Sequence, residues 1–384
     1  MDIALNSQMK QVYTYYIDLL SATINNEELP KPIDNINWEF IVRHAQRNSV
    51  LNILGYAVGK LENKPPESIV KVIENERRFS ILKETSQLVE VEKVLDAFEK
   101  SSIKNLPLKG YFMKHLYNQT DLRTMTDVDI LVNKKDFKKI TKVFQELGYT
   151  KCSILNSNEI HFKKDLLYFE IQCDLNENDD SFYDDIWDNV NLREGYKYSY
   201  SMSPEDFYVY MVYHCSKHFS SGGIGIRMLM DIYVFLSKYP KLNFNYVNSC
   251  FEKLKITTFA ERLKKLSENW FSNDKTVIDN FGEFILYCST YGLRDVYFYQ
   301  DSSRNKKNYW LKQVFIPYSK MKNTYSYLSK APFLLPISWI QYWFTRLFIS
   351  RDIQFKKGFS DRAENLSDQN AQFVDKLMSE LEII

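Results

Sequence analysis

The segment that decides the fold is residues 106–132, LPLKGYFMKHLYNQTDLRTMTDVDILV. A short apolar run leads to Lys109 and Gly110, a helical turn or two follows, and TDVDILV then alternates polar and apolar residues as a strand does. Side chains two positions apart in a strand share a face. Asp127 and Asp129 therefore project together, while the apolar residues between and after them project oppositely into a core.

The two aspartates indicate a metal site. Two carboxylates on one side of a strand repel each other unless a positive charge lies between them. A divalent cation supplies that charge, and Mg²⁺ (or Mn²⁺) favours one or two carboxylates together with substrate phosphates. The alternative is a solvated strand end, because the tripeptide Asp-x-Asp is common.

The residues before the aspartates favour phosphate binding. Lys109 and Gly110 lie between a short strand and a helix, where free backbone N–H groups and the helix dipole attract phosphate. Gly110 would let the backbone approach a phosphate closely, and Lys109 adds a positive charge. Arg123, four residues before Asp127, is placed to meet a phosphate or to pair with one of the acids.

A third acid is predicted on a later strand. In LLYFEIQCDL, polar residues including Glu170 alternate with apolar ones, so the strand has one polar and one apolar face. A carboxylate there could bind a second metal ion or take the proton from an acceptor hydroxyl. The alternative is an ordinary amphipathic strand.

A second group of candidates lies in HCSKHFSSGGIGIR, residues 214–227. His214 and His218 share a helix face, but a zinc site is disfavoured because no nearby Cys/His cluster supplies a third ligand. Lys217 and Arg227 flank the glycine-rich loop and could contact a triphosphate or a base. Arg227 could instead form a plain salt bridge with Asp231, four residues later.

Three single histidines, His44, His115 and His161, are predicted to be structural, because each occurs in an amphipathic context. Residues 331–349, APFLLPISWIQYWFTRLFI, are predicted to form a buried core helix, with a helix lying at a membrane interface as the alternative. A membrane span is not expected, since two prolines, a glutamine and Arg346 interrupt the apolar stretch.

The pattern of the whole chain predicts an α+β fold in three parts. A helical region over residues 1–100 precedes an α/β core over 101–200, which holds a small mixed sheet with flanking helices. From about Pro204, a first-turn proline after Ser203, a helical region extends over residues 201–384.

Composition excludes several classes of function. Fifty Lys and Arg residues balance 49 Asp and Glu residues, so extended binding to duplex nucleic acid is not expected. The five cysteines are widely spread and form no CxxC pair, so neither a disulfide framework nor a zinc ribbon is indicated. The first residues do not resemble a secretory signal, and we expect a cytoplasmic protein.

The order of these motifs resembles the DNA polymerase β-type nucleotidyltransferase superfamily. The shared pattern is strand, LKG, helix, Arg123, DVDILV, helix, LGY and paired strands ending in an acid. Within the superfamily the chain is similar to the uncharacterised bacterial nucleotidyltransferase family in which LKG replaces the usual Gly-Ser. The resemblance implies that Asp127 and Asp129 hold Mg²⁺ and that Glu170 completes the site.

The resemblance also implies a reaction. A nucleoside monophosphate would pass from a nucleoside triphosphate to an acceptor hydroxyl of a small molecule, a protein or tRNA, with release of pyrophosphate. A nucleotide-binding or scaffold protein without turnover is the alternative. Two positions depart from the family: Gln172 stands where a histidine is common, and Tyr111 stands where a small residue is common, so we expect Tyr111 to crowd the phosphate loop.

Overall fold

The structure is a computed structural model that describes residues 3–34, 36–152, 158–176, 181–272, 276–290, 315–344 and 368–383. It confirms the predicted α+β class, with a five-stranded mixed sheet flanked by helices. The chain begins with helices α1 (Ser7–Asn25), α2 (Trp38–Arg47), α3 (Leu51–Lys60) and α4 (Glu67–Lys100).

The sheet follows the long helix α4. Its strands are β1 (Asn105–Pro107), β2 (Val128–Val132), β3 (Thr150–Lys151), β4 (Glu159–Lys164) and β5 (Leu167–Gln172). Helix α5 (Lys109–Lys114) connects β1 to β2, and α6 (Phe137–Glu146) connects β2 to β3. A separate hairpin is formed by β6 (Asn191–Leu192) and β7 (Tyr200–Ser201).

Helices make up the rest of the described chain: α7 (Pro204–Gly222), α8 (Ile226–Lys238), α9 (Phe244–Leu254), α10 (Thr257–Phe271), α11 (Asn280–Tyr287), α12 (Tyr318–Thr324), α13 (Leu335–Phe344) and α14 (Asp368–Glu380). The predicted start of α7 is confirmed. Ser203 is its N-cap, with the hydroxyl accepting a hydrogen bond from the Asp206 amide at 3.1 Å, and Pro204 occupies the first turn.

The strand order is β1-β2-β5-β4-β3. Strands β2 and β5 run parallel, whereas β1–β2, β5–β4 and β4–β3 are antiparallel pairs. The apolar side chains of β2 and β5, among them Ile130 and Ile171, pack with Phe98 of α4 and Phe144 of α6 in one hydrophobic core. The polar side chains of both strands consequently project from the opposite face.

A second, larger core joins the two ends of the chain. It contains apolar residues of α1–α3 together with residues of α7–α11. The boundaries at residues 100 and 200 remain a prediction.

The prediction of a buried core helix at 331–349 is wrong for the part that the structure describes. In α13 only Ser338 is buried, while Phe333, Ile337, Ile340 and Phe344 each expose more than half of their surface. Residues 345–349 lie outside the described residues. Among the helices that are described, none is long and apolar enough to cross a bilayer.

His44 is buried in the larger core, as expected for a structural histidine. Its Nε2 donates to the Leu286 carbonyl at 2.7 Å, and the rings of Tyr13 and Tyr16 pack edge-on against it. Burial, aided by the charge of Arg47 and opposed by the hydrogen bond to Leu286, lowers the pKa of His44 to about 4. The unfolded chain therefore binds a proton at His44 over a pH range in which the folded chain does not.

We predict that stability falls as the pH drops from about 6.5 to about 4, the unfolded and folded pKa values of His44. This group alone removes about 3 kcal/mol from the free energy of unfolding over that window, at about 1.4 kcal/mol per pKa unit. Urea unfolding at several pH values tests this. His44→Gln, which keeps a donor for the Leu286 carbonyl, should flatten the slope; an unchanged slope would contradict the prediction.

Gly225 fixes the corner between α7 and α8. A Cβ at this position would overlap Asn48 Oδ1 and lie 2.7 Å from the Thr290 backbone nitrogen. The same Asn48 oxygen accepts a hydrogen bond from the Ile226 amide at 3.2 Å, in the first turn of α8. The glycine thus allows the start of α8 to pack closely against Asn48 and Thr290, which are distant in sequence.

We predict that Gly225→Ala lowers the free energy of unfolding by about 1–3 kcal/mol, because a methyl group has no room beside Asn48 and Thr290. The matched control is Gly59→Ala, since nothing lies within 4 Å of a Cβ there and alanine favours helix α3. Thermal and urea unfolding of both variants provide the measurement. Equal effects of the two substitutions would refute this role of Gly225.

Candidate active site

Strand pairing brings the predicted acids together. Asp127 directly precedes β2 and Asp129 lies within it, so the two share a face. In the parallel β2–β5 pair, Asp129 lies directly opposite Glu170. Residues that are 41 positions apart in sequence are therefore neighbours.

A cavity of about 560 Å³ opens above this polar face, between the sheet and helices α7 and α8. This volume lies within the usual range for sites that bind small molecules. Every predicted site residue lines it: Lys109, Gly110, Arg123, Asp127, Asp129, Glu170, Lys217 and Arg227.

Two of these acids, Asp127 and Glu170, have raised pKa values. Burial raises the pKa of Asp127, and the charge of Asp129 raises it further. The same two causes raise the pKa of Glu170 to about 7, although Lys109 opposes them. Positive charge nearby would therefore favour the ionised forms of Asp127 and Glu170.

The donor set fits Mg²⁺ or Mn²⁺. Carboxylate oxygens are the ligands that these hard cations prefer, and both ions also use substrate phosphates. Asp127, Asp129 and Glu170 are the residues that would hold the ion.

Lys109 contacts Asp129 directly. Its amine donates to Asp129 Oδ1 at 3.2 Å, and about a quarter of its side chain is exposed. Burial favours the neutral amine, but Tyr210, Asp129 and Glu170 outweigh burial and raise the pKa of Lys109. Its backbone has φ of 40°, a left-handed conformation that is uncommon outside glycine and costs about 1–3 kcal/mol. The turn between β1 and α5 holds this charged amine against the acids.

The missing side chain of Gly110 makes room for another part of the protein, the side chain of Met125. A Cβ there would lie 2.8 Å from Cγ of Met125, which is buried. Packing against Met125 is therefore a reason for the glycine that the sequence did not show, and close approach of its backbone to a phosphate stays a prediction. Tyr111 is a further correction, because its hydroxyl donates to Glu92 of α4 at 2.6 Å and its ring belongs to the core below the sheet. It does not crowd the cavity.

Arg123 pairs with Asp231, a partner that the sequence analysis did not predict for it. Its Nε donates to both carboxylate oxygens of Asp231, at 2.8 and 2.9 Å, and Tyr117 donates to the same carboxylate at 2.8 Å. The alternative in which Asp231 forms a plain salt bridge with Arg227 did not include Arg123 as a partner of this acid. The contact ties the segment before β2 to helix α8, and binding of a phosphate by Arg123 stays a prediction.

Helices α7 and α8 supply further cations to the cavity wall. Lys217 lies over the ring of Tyr213, with the amine 4.6 Å from the ring centroid. Arg227 is buried, and its Nη1 donates to the Thr124 carbonyl at 3.4 Å. Acids from the sheet thus face cations from the helices.

The pKa values of three imidazoles in and near the cavity are shifted in different directions. His214 and His218 pack edge to face, 4.3 Å apart, and burial followed by the charge of Lys109 lowers the pKa of both. Burial also opposes a charge on His161, but hydrogen bonding to Glu159 and the charge of Glu170 raise its pKa.

Sequence reasoning missed the place of His161. This histidine lies opposite Glu170 in the antiparallel β4–β5 pair, and it forms a potential metal-binding group with Glu159 and Glu170. The signal was the alternation in EIHFKK, which puts Glu159 and His161 on one strand face. The strand register that brings them to Glu170 is not visible in the sequence.

Comparison with known proteins bears on the whole arrangement. A family model described as uncharacterised nucleotidyltransferase matches residues 34–272, a range that contains the sheet, α7, α8 and all the predicted site residues. No curated protein and no solved structure gives a significant match. Because the family match covers more than half of the chain, this protein belongs to the uncharacterised nucleotidyltransferase family.

Proposed function

We propose that the chain transfers a nucleoside monophosphate from a nucleoside triphosphate to an acceptor hydroxyl, in a metal-dependent reaction that releases pyrophosphate. The observation that carries the proposal is the placement of Asp127, Asp129 and Glu170 together in a cavity with cationic walls. Membership of the nucleotidyltransferase family supports the same class of reaction. The cytoplasmic location remains a prediction.

In this reaction the acceptor oxygen forms a bond to the α-phosphorus as the bond between that phosphorus and the pyrophosphate oxygen breaks. The acceptor proton passes to a base, for which Glu170 is the candidate if it does not instead complete the metal site. Bound Mg²⁺ would neutralise the charge that develops on the phosphates. Asp127 and Asp129 would hold the ion.

The cations of the site would orient the triphosphate. Lys109 is the best-placed one, because its amine is partly exposed at the cavity and now contacts Asp129. A metal ion that neutralises Asp129 would release Lys109 to bind a phosphate. Lys217 and Arg227 would contact the triphosphate from the opposite wall, whereas Arg123 would act by holding Asp231 and α8 in place. Metal and nucleotide should therefore bind more tightly together than singly.

A nucleotide-binding protein without turnover is the second candidate. The observation that favours it is that Lys109 and Arg123 both already contact carboxylates, as cations of a purely structural network do. Formation of pyrophosphate distinguishes the two candidates.

We predict that a nucleoside triphosphate with Mg²⁺ or Mn²⁺ raises the melting temperature by about 2–4 °C at 100 times the dissociation constant. Either component alone should give a smaller shift, because Lys109 is released only when a metal neutralises Asp129. Asp127→Asn should abolish the joint shift. The matched control is Asp165→Asn, at an exposed turn between β4 and β5, which should keep it. No shift at millimolar ligand would exclude both candidates.

We further predict that the wild-type chain, given a nucleoside triphosphate labelled at the α-phosphate and a cell extract, releases pyrophosphate and labels one class of acceptor. Asp129→Asn should lower the rate by about 100-fold or more, since losing even outer-sphere partners of a metal site costs about 10- to 100-fold. Separation of labelled protein, RNA and small molecules identifies the acceptor. Joint thermal stabilisation without pyrophosphate from any acceptor would establish the binding protein instead.

A further inference from the structure

We propose that Glu159, His161 and Glu170 form a second metal site, which binds a divalent transition-metal ion through imidazole nitrogen and carboxylate oxygen. The proposal deepens the proposed function because Glu170 is shared with the aspartate site. It can be tested without turnover, so the two proposals can fail separately.

The strand register builds this group. His161 lies opposite Glu170, and Glu159 lies two residues before His161 on the same face of β4. One potential ligand atom from each of the three side chains lies within 4.8 Å of the other two. The side chains are partly buried on rigid strands, so little further ordering is needed to bind an ion.

The histidine is already oriented as a metal ligand would be. Its Nδ1 lies 2.6 Å from the Tyr168 hydroxyl, and its Nε2 lies 3.2 Å from Glu159 Oε2. In the tautomer that binds metal through Nε2, Nδ1–H donates to Tyr168. Such a hydrogen bond fixes ring orientation and tautomer in metal sites. Tyr168 is therefore a positioning residue.

The charges also favour a cation. Across three neighbouring strands, Asp129, Glu170 and His161 form one row, with Glu159 beside its end. Lys109 contacts Asp129, at the far end of that row. A metal ion at the His161 end would neutralise the two glutamates there, much as Lys109 neutralises the aspartate.

The donor atoms determine which ion binds. Mg²⁺ prefers oxygen ligands alone, whereas imidazole suits transition metals such as Zn²⁺, and Mn²⁺ accepts carboxylate together with imidazole. The chain would thus hold a hard cation at the aspartates and a softer one at the histidine, with Glu170 between them.

The test uses the full-length chain, with Mn²⁺ as the probe and no nucleotide. Pulsed electron paramagnetic resonance should detect nitrogen modulation from a directly bound imidazole. His161→Gln should abolish the modulation and weaken Mn²⁺ binding at this site by about 10-fold or more, with little effect on Mg²⁺. Tyr168→Phe should keep the modulation but also weaken Mn²⁺ binding, by about 10-fold.

Two controls separate this site from its neighbours. His218→Gln removes another imidazole that lines the cavity and should leave the modulation intact. Asp127→Asn removes a ligand of the aspartate site and should also leave it intact. Circular dichroism and the melting temperature establish that each variant is folded.

Three results would overturn the proposal: Mn²⁺ bound without nitrogen modulation, modulation that persists in His161→Gln, or no Mn²⁺ binding at millimolar concentration. Pyrophosphate release without nitrogen modulation would leave the proposed function standing and reject the second site. Nitrogen modulation without any release of pyrophosphate would support the second site and reject the proposed function.

Discussion

The site depends on one constraint, the parallel pairing of β2 with β5. This register places the buried Asp129 opposite the half-buried Glu170 on the adjacent strand, with the half-buried Asp127 beside them. The apolar side chains that alternate with these acids pack under the sheet against Phe98 and Phe144. A slip of one residue would bury the acids in that core and expose its apolar side. Packing in the hydrophobic core therefore holds the acids close together on the other face of the sheet, although their charges repel each other.

Two cations that line the cavity pair with acids in different ways. Lys109 neutralises Asp129 through a partly exposed contact that a ligand can replace. Arg123 neutralises Asp231 through a buried contact with both carboxylate oxygens. Removing one partner would leave the other as an unpaired buried charge, at a cost of several kcal/mol. The first contact suits a group that moves during binding, and the second suits a group that holds α8 against the sheet. Two cations that looked alike in the sequence thus have different tasks.

The sequence predicted what local patterns determine. Alternation identified β2 and β5 and the shared face of Asp127 and Asp129, and the family resemblance pointed to Glu170 as the third acid. It could not predict contacts set by packing between distant segments, such as Arg123 with Asp231 or Gly225 with Asn48. The prediction of a buried helix at 331–349 was wrong, for the part that the structure describes, for a related reason. Apolar composition alone does not say whether another surface of the protein packs against the segment. His161 was overlooked because a lone histidine gains significance only once strand register places it beside Glu170.

The sheet holds the acids, whereas the helices hold cations that face them, so a substitution in one part affects different groups of the site than a substitution in the other. Asp129, Glu170 and His161 lie on strands whose positions are fixed by backbone hydrogen bonds and the core below, and Asp127 directly precedes one of these strands. Arg227 instead depends on where α8 begins, and that point is set by Asn48 filling the space beside Gly225. Loosening the helical core should therefore displace the cations that face a triphosphate while leaving the metal ligands in place. Metal binding and nucleotide binding in this protein are supported by different parts of the fold, and they meet at Lys109, whose turn connects β1 of the sheet to a helix at the cavity.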